Sequence, residues 1–231
     1  MNNTEEYDLP DLFKVLLIGD SLTGKSEILN RFLDKNYNGC LMAGSNFEVK
    51  TVSLGKSDKI KLYFIDCAGQ EKFKSFNETY YRDSDVVLII FDVTNKNSFD
   101  NIENNYIKSI KKFIGNPLMI GLIGNKIDLM KNMVIDDNML INKKEEIKKI
   151  FPKSKIILRT VSSKTNDGIP ELLLDIISMA QMKVKKLFVG EDVNDGFELV
   201  SEDVAERLKE RKPIQKSNSF FSKFINFDFN L

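Results

Sequence analysis

The chain of 231 residues contains no histidine, and this absence excludes several kinds of catalytic and metal site. Ser-His-Asp triads, Cys-His nucleophile pairs and histidine-ligated metal centres all require an imidazole. Cysteine is nearly absent as well, since only Cys40 and Cys67 occur. Two cysteines are too few for a disulfide-built secreted scaffold or a four-cysteine zinc site.

The sequence also lacks an excess of charge and any long apolar run. Lysine plus arginine number 34, as do aspartate plus glutamate, so nothing predicts bulk binding to nucleic acid. The longest apolar runs, 86–91 and 117–123, are far shorter than the roughly 20 residues of a membrane helix. The acidic start has no signal-peptide pattern, and Asn2 excludes myristoylation. The reducing cytosol is the expected compartment.

What the sequence does contain is a regular alternation of strand-length apolar runs and helical patterns. This alternation predicts a doubly wound α/β sheet, mainly parallel, with helices on both faces. The predicted strands cover residues 13–18, 47–54, 60–65, 86–91, 118–123 and 155–158. The predicted helices cover residues 25–33, 98–114, 142–150 and 169–184. We expect one domain over residues 1–186 and a tail over 187–231, with one short helix and a phenylalanine-rich end.

A phosphate-binding motif follows the first predicted strand and opens the first predicted helix. Residues 19–26, hereafter the P-loop, fit the pattern G-x-x-x-x-G-K-[ST]. Its main-chain N–H groups and the helix N-terminus favour phosphate oxygens, with Lys25 reaching the β- and γ-phosphates and Ser26 ligating Mg²⁺. A Gly-Lys turn without a ligand is the alternative. The residues expected around the phosphates are Gly19, Asp20, Ser21, Leu22, Thr23, Gly24, Lys25 and Ser26.

A second motif, Asp-Cys-Ala-Gly-Gln-Glu, starts where the third predicted strand ends. In an open α/β sheet the carboxyl ends of the strands face the ligand crevice. There Asp66 could hold Mg²⁺ through its water shell, Gly69 could donate its N–H to a γ-phosphate, and Gln70 could orient an attacking water. Read alone, the segment is compatible with a simple strand-to-helix turn capped by Asp66.

Two further motifs predict selection of the base. Asn125, Lys126 and Asp128 form an N-K-x-D pattern after the fifth predicted strand. Guanine presents a ring N–H beside an exocyclic amine, and a carboxylate can accept from both donors, whereas adenine lacks this edge. Alone the pattern is weak, but in order after two phosphate motifs it favours GTP over ATP. A last loop is expected to offer an N–H to the guanine oxygen and a lysine across the base; it comprises Ser162, Ser163 and Lys164.

Together these motifs resemble the Ras superfamily of small GTPases and, within it, the Rab family. The stretches 12–21, 80–82 and 91–94 are similar to Rab sequences, and the likeness covers about residues 10–184. It implies a six-stranded sheet with one antiparallel strand, a site for GTP or GDP with Mg²⁺, and two nucleotide-sensing loops. It also implies a monomeric switch in vesicle traffic on endomembranes, with effector proteins, an exchange factor and a GTPase-activating protein. By the same resemblance, the N–H of Glu27 serves the α-phosphate.

Three internal positions depart from the family pattern. Counting back from Phe47 places Met42 where the family has the threonine of the first switch loop, and a thioether is a poor Mg²⁺ ligand. Ser45 is the only nearby hydroxyl that could replace that threonine in a shifted register. Glu27 places a carboxylate beside the phosphates, although we expect its side chain to point to solvent. Ile65 replaces a usual tryptophan, which weakens any transfer of partner identity.

The end of the sequence is a fourth departure. Rab proteins typically end in prenylated cysteines, whereas no cysteine follows Cys67 here, so no prenyl anchor is expected. Phe220, Phe224 and Phe227 lie at helical spacing and offer either a weak membrane contact or docking on this domain or a partner. Docking is favoured because few basic residues lie nearby.

The sequence therefore predicts a guanine-nucleotide-binding switch whose catalytic residues are Lys25 and Gln70. Its GTP hydrolysis should be slow without an activating partner, because no arginine finger is obvious and Met42 occupies the switch position. A pseudo-GTPase, which binds nucleotide as an interaction module without efficient hydrolysis, is one alternative. A P-loop kinase or ATPase is another, and the N-K-x-D pattern argues against it.

Overall fold

A computed structural model describes residues 13–35, 46–54, 58–67 and 81–189 of the chain. Within these ranges it contains one sheet of six strands in the order β2-β3-β1-β4-β5-β6. The strands β2 and β3 pair antiparallel, and all other neighbours pair parallel. The strand bounds are β1 Phe13–Ile18, β2 Asn46–Leu54, β3 Asp58–Asp66, β4 Val86–Asp92, β5 Met119–Asn125 and β6 Lys155–Thr160. The predicted mainly parallel sheet with one antiparallel strand is confirmed.

The helices follow the predicted order but differ in their bounds. The helix predicted over residues 142–150 begins earlier, at Asp137. Asp136 caps it by accepting a hydrogen bond of 2.8 Å from the N–H of Met139. The helix predicted over 98–114 is not continuous, since a π-helical turn interrupts it. The bounds are α1 Lys25–Phe32, α2 Lys96–Asn101, the π turn Ile102–Ile107, α3 Lys108–Phe113, a 3₁₀ helix Ile127–Asn132, α4 Asp137–Ile150 and α5 Ile169–Val189.

The helices cover both faces of the sheet and bury two apolar cores. On one face, α1 and α5 pack side chains such as Phe32 and Leu172 against the sheet, and both are fully buried. On the other face, the π turn, α3 and α4 contribute Ile102, Ile110 and Ile147. Each fully buried side chain of this size stabilises the fold by about 1.5–3 kcal/mol relative to exposure. Because β4 lies between both cores, all seven of its residues are buried.

The strand register brings the predicted motifs to one edge of the sheet. Leu17 of β1 lies opposite Asp66 at the end of β3, and Asp92 at the end of β4 lies opposite Asn125 of β5. The loop after β6 begins beside the same edge, because Thr160 pairs with Gly124. Parallel strands present their carboxyl ends together, which is where open α/β sheets bind ligands. In the described part of the chain, no helix has both the length and the apolar character needed to cross a bilayer.

Candidate functional site

The P-loop lies against the sheet so closely that two of its glycines admit no side chain. A Cβ at Gly19 would lie 2.0 Å from the carbonyl oxygen of Ile90, which belongs to the backbone of β4. A Cβ at Gly24, which adopts φ +93°, would lie 2.2 Å from Nδ2 of Asn125. Both approaches are far below van der Waals contact, so the loop can take this path only with glycine. The path leads directly into the N-terminus of α1.

Lys25 is held over the P-loop by the loop's own carbonyls. Its Nζ donates hydrogen bonds of 2.8 Å to the carbonyl oxygens of Gly19 and Asp20, and the residue is only 5% exposed. The ammonium group thus stands at the helix N-terminus, where the macrodipole already favours an anion. Phosphate oxygens accept stronger, charge-assisted hydrogen bonds than neutral carbonyls do. The loop therefore presents a preplaced cation to any phosphate that enters it.

Ser26 and Asp66 form a pair of oxygen donors beside Lys25. The Ser26 hydroxyl donates a hydrogen bond of 2.5 Å to Oδ2 of Asp66, whose other oxygen, Oδ1, is buried and has no hydrogen-bond partner in the described part of the chain. Burial raises the pKa of Asp66, and the hydrogen bond from Ser26 and the charge of Lys25 only partly offset this. A hydroxyl and a carboxylate oxygen are the donors that Mg²⁺ prefers. These residues fit a Mg²⁺ ion that completes its shell with water and phosphate oxygens.

Asn125 joins three of the predicted motifs through one side chain. Its Nδ2 donates 2.8 Å to the carbonyl oxygen of Thr23 in the P-loop and 3.1 Å to Oγ of Ser163. Its Oδ1 accepts a hydrogen bond of 3.0 Å from the N–H of Ser163. The side chain is fully buried, so these bonds are shielded from competing water. Asn125 is therefore the residue that holds the phosphate loop, the N-K-x-D loop and the loop after β6 together.

The remaining base-motif residues lie around the same junction. Oδ1 of Asp128 accepts a hydrogen bond of 2.6 Å from the Ser162 hydroxyl, and Asp128 is exposed. Nζ of Lys126 pairs with Oδ2 of Asp92 at 2.6 Å. Burial alone would raise the pKa of Asp92, but hydrogen bonds from Lys126 and Thr94 outweigh it and lower the pKa. Asp128 is thus exposed and held by Ser162, while an ion pair holds Lys126 of the same motif.

Sequence reasoning missed Arg31 and Asp92. The guanidinium of Arg31 donates hydrogen bonds of 2.8 Å to the Ser163 carbonyl and 2.7 Å to the Lys164 carbonyl, which fixes the loop after β6 from the side of α1. Arg31 is 132 residues before Ser163, so no local pattern could reveal the contact. Asp92 offered a weak signal, because it ends a buried strand at the ligand edge as Asp66 does.

The expected orientation of Glu27 is wrong. The residue is only 9% exposed, and both of its carboxylate oxygens are buried without a hydrogen-bond partner in the described ranges. The reason is the packing of α1, which buries six of its eight residues and leaves only Ser26 and Arg31 partly exposed. Burying a carboxylate without a hydrogen-bond partner costs free energy, so Glu27 is expected to destabilise the folded protein.

We expect Glu27→Gln to bind GDP about tenfold more tightly than the wild type. The substitution keeps the shape of the side chain but removes a buried negative charge one residue after Ser26, where phosphate charge would be bound. Fluorescence titration with a labelled GDP measures the change. Glu171→Gln is the matched control, because Glu171 also lies in the first turn of a helix but is exposed. Equal or weaker binding by Glu27→Gln would mean that the carboxylate does not oppose the phosphates.

Several predicted residues lie outside the described residues. They are Gly69 and Gln70 of the second motif, Met42 and Ser45 of the first switch loop, and the phenylalanines of the tail. Of the second motif, the structure therefore places Asp66 and Cys67 only. The residues that it brings together at the ligand edge are Lys25, Ser26, Asp66, Asn125, Lys126, Asp128, Ser162 and Ser163, and the exposed Lys164 adjoins them.

Comparison with known proteins identifies one family. A sequence model of the Ras family matches residues 14–183. The chain is 36% identical over 182 residues to the Ras-related protein Rab-1 of Theileria parva, covering 78% of each protein. It is 31% identical over 183 residues to the Ras-related protein SEC4 of Candida albicans, covering 78% of this chain and 82% of that one. It is 35% identical over 172 residues to Rab-10 of Caenorhabditis elegans, covering 74% and 80%.

Proposed function

Since the chain belongs to the Ras family of small GTPases, we propose that it acts as a Rab-like molecular switch in vesicle traffic. Members of this family bind GTP and GDP with Mg²⁺ and hydrolyse GTP. The observation that carries the proposal is the buried Asn125, whose side chain ties the P-loop to both loops expected at the base.

In this proposal the P-loop and its lysine bind the phosphates. The main-chain N–H groups of residues 19–24 surround the β-phosphate, and the N–H of Glu27 serves the α-phosphate. Lys25 exchanges its two carbonyl acceptors for β- and γ-phosphate oxygens. Ser26 and Asp66 would hold Mg²⁺, which would neutralise charge that develops on the phosphate oxygens.

The base is read by the loops that Asn125 holds. Asp128 accepts hydrogen bonds from the ring N–H and the exocyclic amine of guanine, while the Ser162 hydroxyl keeps its carboxylate oriented. Lys126, anchored by Asp92, and Lys164 lie across the two faces of the ring. The guanine oxygen would lie against the loop after β6, which Arg31 fixes through the carbonyls of Ser163 and Lys164. The site rejects adenine, because adenine would leave the carboxylate of Asp128 without the two donors that guanine offers.

We propose that Gln70 orients the attacking water, and we expect Gln70→Leu to slow hydrolysis by about 10- to 100-fold. Single-turnover hydrolysis of prebound GTP measures this, with Gln181→Leu on α5 as the matched control.

The unaided wild type is expected to hydrolyse GTP slowly, because a partner must supply the charge of an arginine finger. If wild type and Gln70→Leu are equally slow while nucleotide stays bound, the pseudo-GTPase alternative replaces the switch; the buried Glu27 is the observation that favours it.

The partners proposed are an exchange factor, a GTPase-activating protein and effectors, with the chain acting as a monomer peripheral to endomembranes. One surface supports effector binding. On β2, Phe47 is 42% exposed and Val49 is 50% exposed, and the ring of Phe47 stacks on Tyr63 at 5.9 Å between centroids. Exposed large apolar side chains that adjoin one another favour a protein partner. The tail beyond residue 189 lies outside the described residues, and its docking remains a proposal.

A further inference from the structure

The carboxylate of Asp20, the second residue of the P-loop, is held by two side chains from a distant helix. Its Oδ2 accepts a hydrogen bond of 2.7 Å from Nδ2 of Asn101, and its Oδ1 accepts one of 2.6 Å from the hydroxyl of Tyr106. Each oxygen therefore has its own donor, and the two donors lie 81 and 86 residues along the chain. This pair of hydrogen bonds is here called the Asp20 clamp. Neither donor, Asn101 nor Tyr106, belongs to a motif that predicted the site.

The π turn makes the Asp20 clamp possible. In a regular α-helix a residue five positions later lies about 140° around the axis, so Asn101 and Tyr106 would face different directions. A π turn repeats from i to i+5 and brings such a pair to one face. Here the π turn runs over Ile102–Ile107 between α2 and α3, and Asn101 and Lys108 at its two ends have helical φ angles of −67° and −61°. The helix thus contains a local adjustment that aims both donors at the P-loop.

The backbone of Asp20 is fixed as firmly as its side chain. Its carbonyl oxygen accepts hydrogen bonds of 2.8 Å from Nζ of Lys25 and 2.9 Å from Oγ1 of Thr23. Asp20, whose carbonyl accepts a hydrogen bond from Lys25, is therefore anchored through its carboxylate to Asn101 and Tyr106. Without the Asp20 clamp, the carboxylate of Asp20 could rotate toward the phosphates and repel them.

We propose that Asn101 and Tyr106 are positioning residues for the nucleotide: they hold the P-loop in its phosphate-binding shape and slow nucleotide release. The inference rests on the proposed function, because it concerns the same nucleotide. A preorganised loop spends no ordering free energy when the phosphates bind, and it must break its clamp to open. The clamp therefore acts on the lifetime of the bound state rather than on the hydrolysis step at the γ-phosphate.

The test is the release rate of labelled GDP from the full chain with Mg²⁺. We expect Tyr106→Phe, which deletes one hydroxyl, and Asn101→Ala each to release GDP about tenfold faster, because a hydrogen bond to a charged group is lost. Asn104→Ala, which removes an exposed amide from the same π turn, is the matched control and should release at the wild-type rate. Single-turnover hydrolysis of prebound GTP should change by less than about twofold, whereas general damage to the site would speed release and slow hydrolysis together.

A double-mutant comparison separates the Asp20 clamp from other effects. In an Asp20→Ala background, Tyr106→Phe should cause no further acceleration, because its acceptor is gone. Wild-type-like release from both single variants, or an undiminished effect in the Asp20→Ala background, overturns the inference. A wild-type chain that binds neither GDP nor GTP would instead overturn the proposed function, so the two failures are distinguishable.

Discussion

Replacing Lys25 with methionine is expected to weaken GDP and GTP binding by about 100- to 1,000-fold, the loss typical of truncating one member of a buried, hydrogen-bonded charge pair. Methionine keeps most of the aliphatic chain, so the packing of this 5%-exposed side chain is largely preserved. What disappears is the ammonium group that the carbonyls of Gly19 and Asp20 hold at the helix N-terminus. Equilibrium titration with labelled nucleotides measures the loss.

Lys35→Met is the matched control for this prediction. Lys35 is exposed and pairs with Glu48 on the surface at 2.8 Å, so its removal should leave nucleotide affinity within about twofold. Urea unfolding of both variants without nucleotide checks that each is folded. Affinity retained in a folded Lys25→Met variant would show that phosphate charge is bound elsewhere, and the assignment of the P-loop would fail.

Replacing Asp128 with asparagine is expected to reduce GDP affinity by about 100-fold or more and to create binding of xanthosine diphosphate. An amide presents a donor where guanine also presents donors, so one hydrogen bond is lost and one repulsion is introduced. Xanthine carries a carbonyl in place of the exocyclic amine and so matches the amide. Because Ser162 donates to Oδ1 of Asp128 at 2.6 Å, the replacement amide should remain oriented.

Competition between GDP and xanthosine diphosphate against one labelled nucleotide measures this exchange of preference. Asp137→Asn in the first turn of α4 is the matched control and should keep the preference of the wild type for GDP. An Asp128→Asn variant that still prefers GDP to xanthosine diphosphate would remove Asp128 from the base site. The loop after β6 would then be the only proposed basis left for choosing guanine.

The site residues that could be predicted from sequence are those that directly follow or end a recognisable apolar strand pattern. The P-loop follows a buried strand and opens α1, and Asp66 and Asn125 end buried strands, so local patterns sufficed to place them at one edge. The sheet could be predicted for the same reason, since buried parallel strands are continuous apolar runs. The start of α4 was missed because Asp136, Asp137 and Asn138 are residue types that are common in turns, although Asp136 here caps the helix.

The rest of the site depends on contacts that no local pattern contains. Arg31 reaches a loop 132 residues away, and the Asp20 clamp spans 81 and 86 residues. The π turn was missed because helical periodicity assumes a constant repeat, and one additional residue shifts every later side chain around the axis. The burial of Glu27 was missed because a carboxylate in a first helical turn is ordinarily favoured at the surface by the helix dipole.

The central claim is that four loops at one edge of this sheet form a site that selects guanine. The most direct measurement is calorimetric titration of the nucleotide-stripped wild-type chain with GDP and, separately, with ADP, both in the presence of Mg²⁺. The account predicts one GDP bound per chain, about 100-fold or more tightly than ADP. Equal affinity for the two nucleotides, or no heat with either from a folded chain, would contradict it.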